Sequence, residues 1–144
     1  MTKARAAARL AAVQALYQHE MQATRLPRLL DEFHQHRLGA EIEDMQFAKA
    51  ETAFFDDIVS GVIARRDEVD ALIASKLAAG WSLERLDRTM LQILRAGTYE
   101  LMARADVPTG SAISEYVDVA HAFFESREAK FVNGVLDAVA KNVR

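Results

Sequence analysis

The sequence predicts an all-α protein of about seven helices. Apolar residues recur three and four positions apart almost throughout, the spacing that lines one face of a helix. Alternating apolar and polar runs, which build half-buried strands, are missing. Pro27, Gly39, Gly80 and Pro108 fall between the periodic segments, where they start or stop helices.

The first helix is expected from about Ala4 to Met21, with Leu10, Val13 and Tyr17 as its apolar stripe and Ala6 continuing it one turn earlier. Pro27 opens a second helix through about Arg37, which Gly39 ends; Leu26, Leu29, Leu30 and Phe33 form its inner face. The acidic stretch from Leu38 to Asp44 is expected as a loop. A long third helix points Phe47, Phe54, Phe55, Ile58, Val62 and Ile63 inward. A fourth carries Val69, Leu72, Ile73 and Leu77 and stops at Gly80. Ser82 is expected to cap a fifth, which bears Leu83, Leu86, Met90, Leu91, Ile93, Leu94, Tyr99 and Leu101 until Pro108 breaks it. A sixth runs from about Ser111 to Phe124. Ser126 is expected to cap the seventh, with Glu128 favourably placed in its first turn. Short connections of this kind suit a helical bundle. The Gly39–Asp44 stretch divides the chain into a front part (about residues 1–40) and a back part (about 45–144), read together as a single domain over 1–144.

With 144 residues, 51% of them apolar, the chain is long enough for one domain with a proper core. The absence of cysteine excludes a disulfide framework and any thiolate metal site, and fits a reducing, cytoplasmic setting. Basic residues ahead of Leu10–Val13 superficially resemble a signal peptide, but Gln14, Gln18, His19 and Glu20 interrupt the apolar run too early. No run reaches the roughly 18 apolar residues that a membrane-spanning helix requires, so no membrane partner is expected. A net charge of −3 argues against a protein coated in positive charge, yet leaves room for a local basic patch. Binding of nucleic acid by this chain alone is therefore expected to be modest and salt-sensitive.

Enzyme chemistry finds no foothold. Neither Gly-rich nucleotide-binding pattern is present, so no cofactor is expected. His34 and His36 fall on different sides of one helix. Glu32 and His36, four apart, suit an exposed ion pair better than a metal. Asp56 and Asp57 are adjacent and point about a hundred degrees apart, which excludes an acid/base pair. His121 is expected at a core edge with one bonded nitrogen. Trp81, after Gly80, reads as a plug over the bundle end, with an exposed base-stacking role as the alternative. Gly61, Gly97 and Gly134 lie mid-helix, where close helix crossing is the default explanation.

Two segments carry more information. In Lys130-Phe131-Val132-Asn133-Gly134-Val135-Leu136-Asp137, Phe131, Val135 and Val139 keep helical spacing around an Asn-Gly pair, although glycine costs a helix about 1 kcal/mol relative to alanine. In Ala4-Arg5-Ala6-Ala7-Ala8-Arg9-Leu10 and onward to Gln18, no acid appears before Glu20. Arg5 and Arg9, four apart, are placed side by side at the edge of the apolar stripe. Guanidinium forks match phosphate oxygens and stack on bases, though an ordinary solvated helix start has the same pattern.

These segments resemble the NusB family of bacterial transcription antitermination factors. Ile93 to Leu101, Arg104-Ala105-Asp106-Val107-Pro108 and Ile113 to Ala120 match as well, in the family's order and across nearly the whole chain. The resemblance implies two perpendicular three-helix bundles sharing one core. It implies a non-enzymatic RNA-binding protein that pairs with NusE, a small-subunit ribosomal protein, on boxA-type single-stranded RNA of nascent ribosomal RNA transcripts. That complex loads on RNA polymerase and suppresses premature termination. Some relatives self-associate through the RNA surface, so a monomer and an RNA-occluding dimer both remain open.

The resemblance further implies that Phe131 lies near the first helix and contacts RNA, stacking an unpaired base while Lys3, Arg5 and Arg9 hold phosphates. Arg127 and Lys130 add positive charge, and Gln14 is placed to bond a base edge. Plain core packing is the alternative for Phe131. The front motif is thinner here than is usual in the family, with Ala6, Ala7 and Ala8 between the arginines, so weaker autonomous RNA binding is expected. Asp87-Arg88 resembles an acidic–basic pair of the family, displaced by about one turn. A NusB-like domain also fronts certain ribosomal RNA cytosine methyltransferases. The competing function is thus a targeting module or protein-interaction scaffold with a reduced RNA surface, which replacing Arg5 and Arg9 by Glu would separate from the first.

Overall fold

Among the described residues the helical periodicity is realised as seven α-helices. They are α1 (Lys3–Gln22), α2 (Leu26–His36), α3 (Met45–Ala64), α4 (Arg66–Ala74), α5 (Arg88–Ala103), α6 (Thr109–Phe123) and α7 (Ser126–Val143). The computed structural model describes the backbone of residues 3–36 and 45–144 and the side chains of residues 4–35 and 51–144. No strand occurs among the described residues. The helix stop at Gly39, the loop at 38–44, the inward position of Phe47 and the side chains of Lys3 and His36 lie outside them.

The core is built around α5. Every residue from Met90 to Leu101 is buried, because α1, α3, α4, α6 and α7 all pack against this one helix. α1, α2 and α3 also pack on one another, and α6 lies along α7. Burying a whole helix buries its polar positions too, and each buried charge then needs a partner. Arg95 finds Asp70 of α4 at 2.8 and 2.9 Å and Glu20 of α1 at 3.0 Å. Tyr99 donates to Asp57 of α3 at 2.7 Å. That tyrosine passes directly over Gly61, where an added Cβ would stand 2.0 Å from the ring, so close helix approach does explain this glycine.

Several boundaries differ from the sequence expectation. α4 ends at Ala74, before Leu77. The helix expected from Ser82 is instead a 3-10 turn over Leu83–Arg85, and the Ser82 side chain makes no cap. The chain extends again at Leu86, and α5 starts under Asp87, whose carboxylate accepts from the backbone N–H groups of Thr89 at 2.8 Å and Met90 at 3.1 Å. Ser126 is the first residue of α7 rather than its cap. Gly80 adopts φ +89°, a left-handed turn that an L side chain would strain, and this turn sets the direction of Trp81.

Candidate nucleic-acid interface

The apolar stripe of the first helix predicts burial of Leu10, Val13 and Tyr17. Val13 is buried and Leu10 packs partly buried against the core, but Tyr17 is exposed, and Ala8, Arg9, Ala11, Ala12, Ala15 and Leu16 are buried beside them. α1 is surrounded by α2, α3, α5 and α6, so its inward face is broad and rich in alanine. Arg9 falls on that face with its side chain fully buried, which corrects the expectation of two guanidinium groups side by side in solvent. Its Nε and Nη2 donate to the Glu100 carboxylate at 3.0 and 2.6 Å, and Tyr116 donates to the same carboxylate at 2.8 Å. Burial pulls the Arg9 pKa down, but the hydrogen bond and charge of Glu100 outweigh it and hold the group above its ordinary value. Burial and then the charge of Glu100 push the Tyr116 phenol well up. Arg9 therefore offers nothing to a phosphate in this arrangement. Arg5 is partly exposed, lies over the Phe54 ring at 4.3 Å and approaches Glu51 at 3.7 Å.

Phe131 faces a different region. With Phe124, Met90, Leu86, Trp81, Arg85 and Arg127 it lines an open cleft of about 580 Å³ between the Gly80 turn and the start of α7. None of the arginines of α1 lines it, so the expected juxtaposition of Phe131 with Arg5 and Arg9 is not formed there. Trp81 is 52% exposed and forms a wall of the cleft rather than a plug. Arg85 lies 5.4 Å from the centre of its ring and donates to the Gly80 carbonyl. Arg88 donates to the carbonyls of Leu83 and Leu86, both at 2.7 Å, and so stitches the 3-10 turn. Asp87 thus caps α5, while Arg88 fastens the turn before it and also approaches Glu20 of α1 at 3.9 Å.

Gln14 lines a neighbouring cleft of about 300 Å³ with Tyr17, Gln18, Phe33, Thr89 and Phe123. Sequence neighbours line the two clefts, Phe123 and Thr89 the smaller and Phe124 and Met90 the larger, with the Phe123 and Phe124 ring centres 6.4 Å apart. Tyr17 and Phe123 of the smaller cleft and Trp81 of the larger are exposed aromatic residues, and Arg85 and Arg127 line the larger. Such an arrangement can stack unpaired bases and hold their phosphates.

Residues 6–141 match the NusB family. The chain belongs to the NusB family. It is 76% identical over 142 residues to the transcription antitermination protein NusB of Novosphingobium aromaticivorans, covering 99% of this chain and 96% of that one. Thermotoga maritima NusB is similar in structure, with TM-score 0.81 at 32% identity over 98% of this chain and 93% of that one. A chain from a crystal structure of the antitermination factors NusB and NusE in complex with double-stranded RNA superposes with TM-score 0.82 at 25% identity, covering 99% of both.

Within this NusB-family fold the remaining expected residues scatter. Lys130 lies beside Phe131 in sequence but turns about a hundred degrees away. It lines a groove between α6 and α7 with Ile113, Ser114, His121, Asn133 and Asp137. His121 is exposed, not at a core edge with a bonded nitrogen. Asn133 and Gly134 are also exposed, and a Cβ at Gly134 would meet nothing within 4 Å, so helix crossing does not explain that glycine. Arg85 and Phe123 are candidates that spacing does not select, and Trp81 takes the exposed position that the sequence offers as the alternative to a plug. The available signal is the cluster of aromatic and arginine residues on either side of α5. Among the described residues no group of His, Asp and Glu is arranged to hold a metal, and no helix is long and apolar enough to cross a membrane.

Proposed function

We propose that the chain is a transcription antitermination factor that binds single-stranded boxA-type RNA of nascent ribosomal RNA transcripts together with NusE. In the cytoplasm this complex joins RNA polymerase and suppresses premature termination. Kinship over the full chain with a transcription antitermination protein carries the proposal. The exposed aromatic surface with Arg85 and Arg127 at its edge supports the RNA-binding part of it. Binding by the chain alone is weak, because Arg9 is consumed inside the fold and few cations remain to release counterions from RNA. NusE supplies the missing contacts, so each of protein, NusE and RNA raises the affinity of the others.

The burial of Arg9 also favours the second function, a scaffold with a reduced RNA surface. Fluorescence anisotropy of a labelled boxA-like RNA separates the two, titrated with and without NusE, against a scrambled RNA, at two salt concentrations. Selective binding strengthened by NusE is the expected result; equal, weak binding to both RNAs regardless of NusE overturns it. Arg127→Glu is the informative variant, because that side chain is exposed, whereas Arg5 lies over Phe54 and approaches Glu51. Arg9→Glu would place a second carboxylate against Glu100 and unfold the chain.

A further inference from the structure

We propose that the Arg144 side chain clasps the last turn of α7 to the connection between α5 and α6, so that these two segments open and close as one unit. The need for a clasp arises at the end of α5. The last carbonyls of a helix have no partner within it. α5 has no basic residue in its last turn, and it closes on Arg104 at φ −113° rather than on a left-handed glycine. Arg144 reaches in from α7 instead. Its guanidinium donates to the carbonyls of Leu101 at 3.0 Å, Arg104 at 2.8 Å and Val107 at 2.6 Å, and to the Thr109 hydroxyl at 3.2 Å. Its positive charge thereby stands at the negative end of the α5 dipole.

Both halves of the clasp are anchored. In the connection Val107 is buried, and the Arg104 side chain bonds Asp57 of α3 and Asp106, each at 3.1 Å. In α7, Asn142 accepts from Lys76, just past α4, at 2.7 Å. The Arg144 N–H donates to the Ala140 carbonyl at 2.9 Å, which carries the guanidinium on the helix. When the last turn of α7 unwinds, the guanidinium leaves, and four oxygens lose a charged donor. When the connection shifts, the guanidinium loses its acceptors. Each segment therefore stabilises the other, which is what joins separate stretches of chain into one opening unit. The Arg104-Ala105-Asp106-Val107-Pro108 motif thus does more than break a helix. Val107 anchors it, Pro108 leads into α6, and the carbonyls of Arg104 and Val107 face Arg144. Neither Arg144 nor this connection lines the two aromatic clefts.

Native-state hydrogen exchange of the full chain, read amide by amide by NMR, tests the clasp. In the unaltered protein the Val107 amide, which donates to Arg104, and the amides in the last turn of α7 should share one dependence on urea. Arg144→Gln removes the charged fork and should speed exchange at both places by about tenfold to a hundredfold. The Ala23 amide, bonded to His19 in the connection between α1 and α2, should keep its rate and serves as the control. Arg144→Lys should recover only part of the protection, because an ammonium group lacks the planar fork. Val107→Ala, on the other half of the clasp, should in return speed exchange in the last turn of α7. Separate urea dependences in the unaltered protein overturn the proposal. Faster exchange confined to α7 in Arg144→Gln means ordinary fraying and overturns it too. Equal acceleration everywhere, Ala23 included, means global destabilisation and likewise overturns it.

Discussion

The junction where α1 meets α3, α5 and α6 and the cleft where the Gly80 turn meets α7 are built from the same residue types, arginine and aromatic rings. In the junction Arg5, Arg9 and Arg104 surround Phe54 at 4.3, 4.9 and 5.0 Å, and acids on neighbouring elements answer each charge. In the cleft Arg85 and Arg127 stand beside Trp81 and Phe131 with solvent on one side. The first arrangement holds α1, α3, α5 and α6 in one register. The second leaves rings and charges available to a ligand. Residue type alone does not separate the two; the helices packed around each set do.

Substitutions should separate the regions sharply. Glu100→Ala strands the Arg9 charge in the core and should cost about 3–5 kcal/mol in urea unfolding. Arg9→Met with Glu100→Met should recover much of that loss. A loss as small as that of a surface change would mean that Arg9 can reach solvent, and the comparison would fail. In the cleft, Arg127→Glu should leave stability within about 0.5 kcal/mol, yet weaken RNA binding severalfold and lower the salt slope by about one. Gly134→Ala should stabilise the chain by about 0.5–1 kcal/mol, since nothing opposes the added methyl. Gly61→Ala should destabilise it through the Tyr99 ring.

A further effect lies in alkaline solution. Burial and then the hydrogen bond to Asp57 push the Tyr99 pKa from 10.0 to about 12. The unfolded chain therefore loses this proton first as pH rises, and the stability tied to the neutral phenol is lost between those values. Melting temperatures measured from pH 9 upward should fall, and Tyr99→Phe should flatten part of the decline.

Seven helices are legible in the sequence because apolar spacing and the Gly and Pro stops record local geometry directly. The inward face of α1 is not. Leu10, Val13 and Tyr17 share one helical stripe, of which Val13 is buried, Leu10 half-buried and Tyr17 exposed, while Arg9, Ala12 and Leu16 share another just beside it and are all buried. Larger side chains favour the first. What selects the second is Glu100, 91 residues away, which no inspection of α1 alone can supply. The start of α5 is partly legible, since Asp87 is as good a cap residue as Ser82, and the extended residue Leu86 decides between them. Trp81 reads as a plug because its exposure depends on the Gly80 turn and on Arg85, neither of which has a periodic signature. The RNA set is legible only in pieces. Phe131 and Arg127 share a cleft, whereas Arg9, Gln14 and Lys130 fall elsewhere.

The pairing of Arg9 with Glu100 also bears on how the chain reaches its native state. Helical proteins generally fold fast because their contacts are local, but this one ties its first helix to a residue 91 positions later. During synthesis at roughly 5–20 residues per second, α1 waits about 5–20 s before its partner carboxylate is made. Through that interval an amphipathic segment bearing an unpaired guanidinium is open to chaperones and to other nascent chains. Refolding should accordingly be slower than in a bundle of similar length whose neighbours in space are neighbours in sequence. Conservative changes at Arg9 should alter the folding rate if docking of α1 belongs to the rate-limiting step, and the unfolding rate if it comes afterwards.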